Sequence, residues 1–321
     1  MNGRFVVSRL LQVIPTIAGI VLVGFLLIHI APGDPILTLA GEHGDAEYYA
    51  FMRHHFGLDQ PLVTQLGTYF VRVAHGDFSF SYVYGRTTFD VIAERAPATL
   101  LLTGAALVLA LVVAVPLGAF AARRPLGTRD FAINTVTLGL YSAPVFWIGQ
   151  IMVLLFALRW GLAPAQGMSE AGSNAGGVSA TMDVMRHLAL PAIALALQEI
   201  AVLARLTRSR LVDELARDHI RTARAKGLSE RAVLWRHALP RVLMPVVTVV
   251  GARAGHLIAG AVIVEIVFGW PGMGRLLLAS LQSRDTPVLL GLFFLVSFTV
   301  VLMNLVTDIV HASLDPRISL R

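Results

Sequence analysis

Six long apolar stretches constrain the fold of this chain more than any other feature of its sequence. They lie at residues 10–30, 98–122, 131–158, 187–204, 242–268 and 288–310. A bilayer core about 30 Å thick takes about 20 helical residues to cross, and the absence of water there favours helices, which pair their own backbone groups. Charged residues make up only 14% of the chain, against about 25% in soluble domains. We therefore expect an all-α integral membrane protein with about six transmembrane helices.

The distribution of lysine and arginine indicates how these helices cross the membrane. Of the 26 basic residues, 17 fall in the two termini and in the second and fourth connections, and eight fall in the other connections. Because basic residues are enriched on the cytoplasmic side, we expect both termini in the cytoplasm. The segments 31–97, 159–186 and 269–287 then lie outside. The net charge of +6 therefore needs no nucleic-acid partner to explain it.

The outer segment 31–97 is long and polar enough to fold by itself. It contains eight acidic residues, and it opens with Pro32-Gly33-Asp34-Pro35, a turn signal that ends the first helix. Residues 48–56 and 61–74 have apolar positions three or four apart, the spacing of amphipathic helices. We expect a small extracytoplasmic cap between helices 1 and 2.

The cytoplasmic segment 205–241, which we call the elbow, carries ten of the 26 basic residues. Residues 211–226 are compatible with one helix, and Gly227 suits the position after it, where a left-handed backbone is needed. Ser229 can cap a second helix, and Pro240 ends that helix or kinks it into the fifth span. A bare connection would need only a few residues, so two polar helices here indicate a function.

The available side chains exclude several functions. The nucleotide-binding motif G-x-x-x-x-G-K-[ST] needs a lysine that reaches the phosphates, and the only lysine, Lys226, stands between Ala225 and Gly227. The chain contains no cysteine, which excludes thiolate chemistry, and no H-E-x-x-H zinc motif. His54-His55 is more typical of a surface pair than of a metal site. We expect no catalytic residue, no metal site and no bound cofactor, so that an ATPase driving this protein would be another chain.

Ionisable residues inside the apolar stretches are candidates for function because they are costly to bury in a membrane. Arg253 lies nearest the middle of its span, where it can pair with a partner subunit, line a polar path or contact a substrate carboxylate. We take Arg253 and Glu265 as candidate residues of a translocation path. For Glu199 and Glu265, which lie near the ends of their spans, the alternative is hydrogen bonding between helices.

The elbow resembles the cytoplasmic loop of the permeases of ATP-binding cassette (ABC) importers, whose motif is E-A-A-x3-G-x9-I-x-L-P. Arg221-Thr222-Ala223 precede Gly227 at the spacing of that motif, and His237-Ala238-Leu239-Pro240 follow it. The replacement of Glu-Ala-Ala and of Ile is typical of one branch. The run D-H-I-R-T-A-R-A-K-G-L-S over residues 218–229 is similar to that of dipeptide and oligopeptide permeases of the B type.

Further motifs of that family occur in order along almost the whole chain. They are S-R-L-L-Q-V-I-P-T at residues 8–16, P-G-D-P at 32–35, G-D-F-S at 76–79, E-I-V-F-G-W-P-G-M-G at 265–274 and D-P-R at 315–317. One departure is the segment 159–186, which is often longer in dipeptide-specific members. It leaves the substrate open.

The resemblance implies the type I ABC importer permease fold, in a multi-pass protein of the bacterial cytoplasmic (inner) membrane. The domains would be the first helix with its outer loop (1–97), a five-helix core (98–310) containing the coupling loop 205–241, and a cytoplasmic tail (311–321). Partners would be a second homologous permease, two ATPase subunits that bind ATP and Mg²⁺, an extracytoplasmic substrate-binding protein and the lipid bilayer. The residues that the resemblance assigns to ATPase contact are Asp218, Arg221, Thr222, Ala223, Ala225, Lys226, Gly227, Leu228, His237, Leu239 and Pro240.

Peptide import through half of a translocation pathway is thus the function that the sequence favours. An ABC importer for nickel or glutathione remains the alternative within the family. An ion-coupled secondary transporter would need acids near the middle of the membrane and often inverted repeats, and neither is evident. A scaffold protein would not explain the 37-residue elbow.

Overall fold

The computed structural model describes residues 3–30, 45–55, 59–81, 83–170, 172 and 176–314, and helices account for most of them. The turn expected at 32–35 and the D-P-R motif at 315–317 lie outside these residues. The helices are α1 (Gly3–Ile30), α2 (Ala46–His55), α3 (Leu62–Ala74), α4 (Thr88–Ala122), α5 (Thr128–Ser142), α6 (Val145–Met152), α7 (Val178–Leu215), α8 (Asp218–Ala225), α9 (Glu230–Ala232), α10 (Leu239–Val267), α11 (Met273–Gln282) and α12 (Thr286–Leu314). Helices α6 and α9 continue into the π-helical segments Val153–Arg159 and Val233–Ala238. Two short antiparallel strands, β1 (Phe80–Ser81) and β2 (Arg86–Thr87), form a hairpin.

The expectation of about six spans is confirmed. Among the described residues, five helices are long and apolar enough to cross a membrane, and a bent pair of helices supplies a sixth candidate. The pair, α5 with α6 and its π-helical continuation, bends by 99°, so the apolar stretch expected to span at 131–158 is broken rather than one continuous helix. Pro144 causes the bend, since it lacks an N–H and disfavours helical backbone at the residue before it. Ala143 is accordingly extended, with φ −79° and ψ 132°.

The chain divides into two compact units, Met1–Pro97 with Arg275–Leu305, and Ala98–Gly274 with Val306–Arg321. In the first unit, α1 packs on α3. The Ser81 hydroxyl of the hairpin donates a hydrogen bond to the buried carboxylate of Asp285, and the rings of Phe78 and Phe294 lie 5.2 Å apart. The expected short helices at 48–56 and 61–74 are confirmed as α2 and α3.

Helix α7 is the centre of the second unit. It packs against α5, α6 and α10, and 72% of its apolar window is buried within the chain, whereas the other four single-helix spans bury 17–39%. Leu102, Ala106, Ala110 and Ala114 of α4, which recur every four residues, are fully buried in the same core. The remaining apolar surface of the spans is free to face lipid or another subunit.

Glycine allows α4 and α7 to approach closely at one point. A Cβ atom on Gly118 would lie 2.5 Å from the backbone oxygen of Ala204 and 2.7 Å from Cβ of Thr207. Small residues permit such contacts between membrane helices, and packing then holds the helices together. On the same helix, a Cβ on Gly104 would have no atom within 4 Å.

We expect Gly118→Ala to destabilise the chain by about 1–3 kcal/mol, because overpacking forces the two backbones apart. The matched control Gly104→Ala should be neutral or slightly stabilising, since alanine is the better helix former. Thermal unfolding of the purified variants in detergent measures both effects. Equal midpoints for the two variants would contradict the close approach of α4 and α7.

Candidate functional site

The elbow turns at Gly227 as its sequence predicts. Gly227 has φ +78°, the left-handed conformation that glycine adopts at low cost. Its N–H donates to the Arg224 carbonyl at 2.9 Å, and that of Leu228 donates to the Ala223 carbonyl at 3.4 Å. The Ser229 hydroxyl caps α9 by accepting a hydrogen bond from the backbone N–H of Ala232 at 3.3 Å. The expected glycine turn and serine cap are both confirmed.

The expected single helix over 211–226 is wrong, because the chain breaks between α7 and α8. Arg217 is extended there, with φ −75° and ψ 155°. The cause is the buried carboxylate of Glu214 in the last turn of α7. Its oxygens lie 3.0 Å from Nε of Arg217, 3.2 Å from Nε2 of His219 and 3.8 Å from Nε of Arg241. One acidic residue thus brings together the end of α7, the start of α8 and the start of α10.

Helix α8 has one anchored face and one free face. Ile220 and Ala223 are buried in the core of the second unit, whereas Asp218, Arg221 and Thr222 are exposed. A short helix that is anchored in the core on one side and exposed on the other can transmit to the core a displacement caused by a protein that binds its exposed face.

An ion pair closes the elbow across its glycine turn. Nε and Nη2 of Arg224 donate to the two carboxylate oxygens of Glu230 at 2.8 and 3.2 Å, and Nη1 donates to the Leu215 carbonyl at 3.4 Å. The hydrogen bond to Glu230 raises the pKa of Arg224 above its ordinary value, so the guanidinium stays charged. The Arg224–Glu230 pair, which we call the clamp, connects α8 to α9 and to the end of α7.

Two further ion pairs fix the helices that surround α7. Arg208 of α7 donates from two nitrogens to Asp130 of α5, and Asp130 also accepts from the backbone N–H of Leu126 at 2.8 Å. Arg253 of α10 donates to Glu199 of α7 at 2.6 and 2.9 Å. The Glu199 side chain is 7% exposed and that of Arg253 is 26% exposed. Such bidentate pairing fixes geometry as well as charge.

Glu265 holds the turn between α10 and α11. It is completely buried; one oxygen accepts from the Thr99 hydroxyl at 2.6 Å and the other from the Gly274 N–H at 2.7 Å. The Trp270 indole N–H donates to the Ala98 carbonyl at 2.8 Å. A Cβ on Gly272 would lie 2.5 Å from a Glu265 oxygen, so the glycine leaves room for the carboxylate.

Comparison with known families decides what kind of protein carries these features. Residues 114–320 match the family described as "binding-protein-dependent transport system inner membrane component", and residues 2–103 match its N-terminal counterpart. The chain belongs to this family. The resemblance drawn from the motifs is confirmed, and the protein is a permease subunit, not itself a catalytic enzyme.

The permease has relatives that match it over nearly its full length. It is 37% identical to the dipeptide transport system permease protein DppB of Escherichia coli (strain K12) over 333 residues, which cover 98% of each chain. It is also 37% identical to the glutathione transport system permease protein GsiC of Escherichia coli (strain K12) over 315 residues, again 98% of each chain.

A solved structure confirms the fold. The permease resembles an inward-facing form of the MetNI methionine ABC transporter with a TM-score of 0.55 at 16% identity, over 70% of this chain and 96% of that one. The expected type I ABC importer permease fold is therefore confirmed.

Nine of the eleven residues assigned to ATPase contact are exposed on α8, on the glycine turn or around the start of α10. The other two, Ala223 and Leu239, are buried in the core. The path candidates do not come together, since Arg253 and Glu265 are twelve residues apart on α10, which is about 18 Å along a helix. Among the described residues of the permease, no group of three or more metal-binding side chains occurs.

Reasoning from the sequence missed three residues that support the elbow. Glu214, Arg224 and Glu230 fix its shape, yet Glu214 lies before the family motif, and Arg224 and Glu230 occupy positions that the motif leaves unspecified. Arg224 and Glu230 are six residues apart, a spacing that does not bring side chains together on one helix. Only the turn at Gly227 between them makes the pair possible.

We expect Glu199→Gln to destabilise the permease by about 3 kcal/mol, because it leaves the Arg253 charge without its partner in a largely buried place. The double variant Glu199→Gln/Arg253→Gln should be less destabilised than Glu199→Gln alone. Denaturant unfolding of the purified variants compares them. The single variant Arg253→Gln completes the comparison. The pairing would be contradicted if the double variant lost as much free energy of unfolding as the two single variants lose together.

Proposed function

We propose that this permease forms half of the translocation pathway of an ATP-driven importer for di- and oligopeptides. A second, homologous permease supplies the other half, two cytoplasmic ATPase subunits drive transport, and an extracytoplasmic binding protein delivers the substrate. The observation that carries the proposal is the elbow, with one face anchored in the core and the other exposed, in a chain of this transport family.

The source of energy follows from what the chain lacks. Its only lysine, Lys226, is in the elbow and outside any nucleotide-binding motif. ATP and Mg²⁺ therefore bind to partner subunits, and the permease itself holds no cofactor. The exposed face of α8 and the turn at Gly227 form the docking surface for one ATPase.

The substrate class rests on the relatives. One is a dipeptide permease and the other a glutathione permease, at the same identity and coverage. Glutathione is itself a tripeptide with one γ-linkage, so both names describe short peptides. Glutathione is accordingly the second candidate substrate.

The permease lies in the bacterial inner membrane with both termini in the cytoplasm, the orientation that its basic residues favour. The elbow is then on the side of the ATPases, and the cap between the first and second membrane spans faces the binding protein.

The ion pairs suggest how motion passes from the ATPases to the pathway. When the ATPases close on ATP, they displace α8. The ion pairs of Glu214 with Arg217 and Arg241, and the Arg224–Glu230 clamp, transmit this displacement to α7 and α10. These two helices carry the Glu199–Arg253 pair, and Arg253, a candidate residue of the path, is partly exposed. The cycle shifts the population between inward- and outward-open states.

Uptake into proteoliposomes tests the function. The permease is reconstituted with its second permease and ATPases, and the purified binding protein, ATP and Mg²⁺ are supplied. We expect uptake of labelled di- and tripeptides that requires both ATP and the binding protein, and none of nickel. Uptake driven by an ion gradient without ATP would overturn the proposal, and uptake of glutathione alone would select the second candidate.

We expect Gly227→Val to lower transport-linked ATPase activity at least about tenfold, because a β-branched residue in the left-handed region costs about 1–2 kcal/mol and distorts the turn. Gly227→Asn is the matched control, since asparagine tolerates this conformation, and it should keep most of the activity. The unfolding temperature of Gly227→Asn should stay close to that of the wild type. That of Gly227→Val should fall only by the amount that its backbone strain causes, because no atom lies within 4 Å of an added Cβ. Full coupling in Gly227→Val would contradict the role of the turn.

A further inference from the structure

A basic cavity lies between the end of α4, the start of α5 and the elbow. It has a volume of about 580 Å³, within the range of small-ligand sites. Four arginines line it: Arg123, Arg124, Arg129 and Arg224. One acid, Glu230, also lines it.

The charge of this cavity is not balanced by the chain itself. Arg224 and Glu230 neutralise each other in the clamp across the elbow. Across the described part of the chain, none of Arg123, Arg124 and Arg129 pairs directly with an acid, and all three are exposed. The pKa of Glu230 is lowered mainly by its hydrogen bond to Arg224 and only to a small extent by the charge of Arg123. Three guanidinium groups around one cavity thus remain available to an anion, and guanidinium is the side chain best suited to bind phosphate oxygens in pairs.

Large exposed apolar side chains lie next to the lining arginines in the sequence. Leu126, at the tip of the turn between α4 and α5, is 94% exposed and has φ +63°. Phe131, on the first turn of α5, is 73% exposed, and Phe120 lines the cavity at the end of α4 with its ring half exposed. The hydrogen bond from the Leu126 N–H to Asp130 fixes this turn. Large exposed apolar side chains beside arginines at the end of a membrane span are typical of the membrane interface.

We propose that this cavity binds the phosphate group of an anionic phospholipid, with Arg123, Arg124 and Arg129 around the headgroup and Leu126 and Phe131 against the acyl chains. Basic pockets at the ends of membrane helices bind anionic headgroups by this chemistry. Because Arg224 and Glu230 form one wall of the cavity, a bound lipid contacts the clamp that shapes the elbow. The lipid therefore supports the elbow in the orientation that the ATPases meet.

Native mass spectrometry of the full-length permease in detergent tests the site independently of transport. The probes are dioleoylphosphatidylglycerol and dioleoylphosphatidylcholine at equal concentrations. We expect the wild type to retain phosphatidylglycerol about tenfold more than phosphatidylcholine, since each arginine near an anionic headgroup strengthens binding. The variant Arg123→Gln/Arg124→Gln/Arg129→Gln should lose this preference.

The matched control is Arg72→Gln/Arg159→Gln/Arg186→Gln, which removes the same charge from exposed positions elsewhere and should keep the preference. If both triple variants lost the preference for phosphatidylglycerol equally, the preference would depend only on net charge, and the proposed site would be overturned. Displacement of the lipid by millimolar inorganic phosphate would identify a soluble phosphate as the occupant and overturn the lipid. Unchanged lipid preference together with lost co-purification of the ATPase subunits would make the cavity a protein-docking surface instead.

Discussion

The structure of this permease depends on the pairing of charges along one central helix. Helix α7 packs against α5, α6 and α10, and three of its charged side chains pair with opposite charges on the neighbouring helices. Arg208 pairs with Asp130 of α5, Glu199 with Arg253 of α10, and Glu214 with residues of α8 and α10. An unpaired charge in such a place would be costly, so each pair also fixes where the neighbouring helix lies.

The same pairing connects the core with the elbow. Glu214 ends α7 and lies beside the first basic residues of α8 and of α10, while Arg224 and Glu230 close the turn around Gly227. A displacement of α8 therefore cannot remain local, because the buried residues Ile220 and Ala223 and these charges join it to two long helices. This connection is the physical basis of the coupling proposed above. The basic cavity beside the clamp places an anionic ligand next to the same connection.

Local chemistry was predictable where a residue determines its own backbone. Gly227, Ser229 and the two short helices of the first unit were found as expected, because a left-handed turn, an N-cap and amphipathic spacing each depend on a few adjacent residues. The bend at Pro144 and the break before Asp218 were missed. Apolar content alone does not distinguish a straight span from a bent one, and the break depends on a cluster that includes Arg241, 27 residues beyond Glu214 in the sequence.

The sequence by itself determined the class of protein: apolar stretches too long for a soluble fold, basic residues biased to one side, an elbow with the family motif and no nucleotide-binding lysine. Each of these follows from composition or short-range order. Only the tertiary structure decided the partners of the buried charges, since Glu199 and Arg253 are 54 residues apart, Asp130 and Arg208 are 78 apart, and Thr99 and Glu265 are 166 apart. The hydrophobic effect and the bilayer require that these groups be paired, but the packing of the helices selects which groups meet.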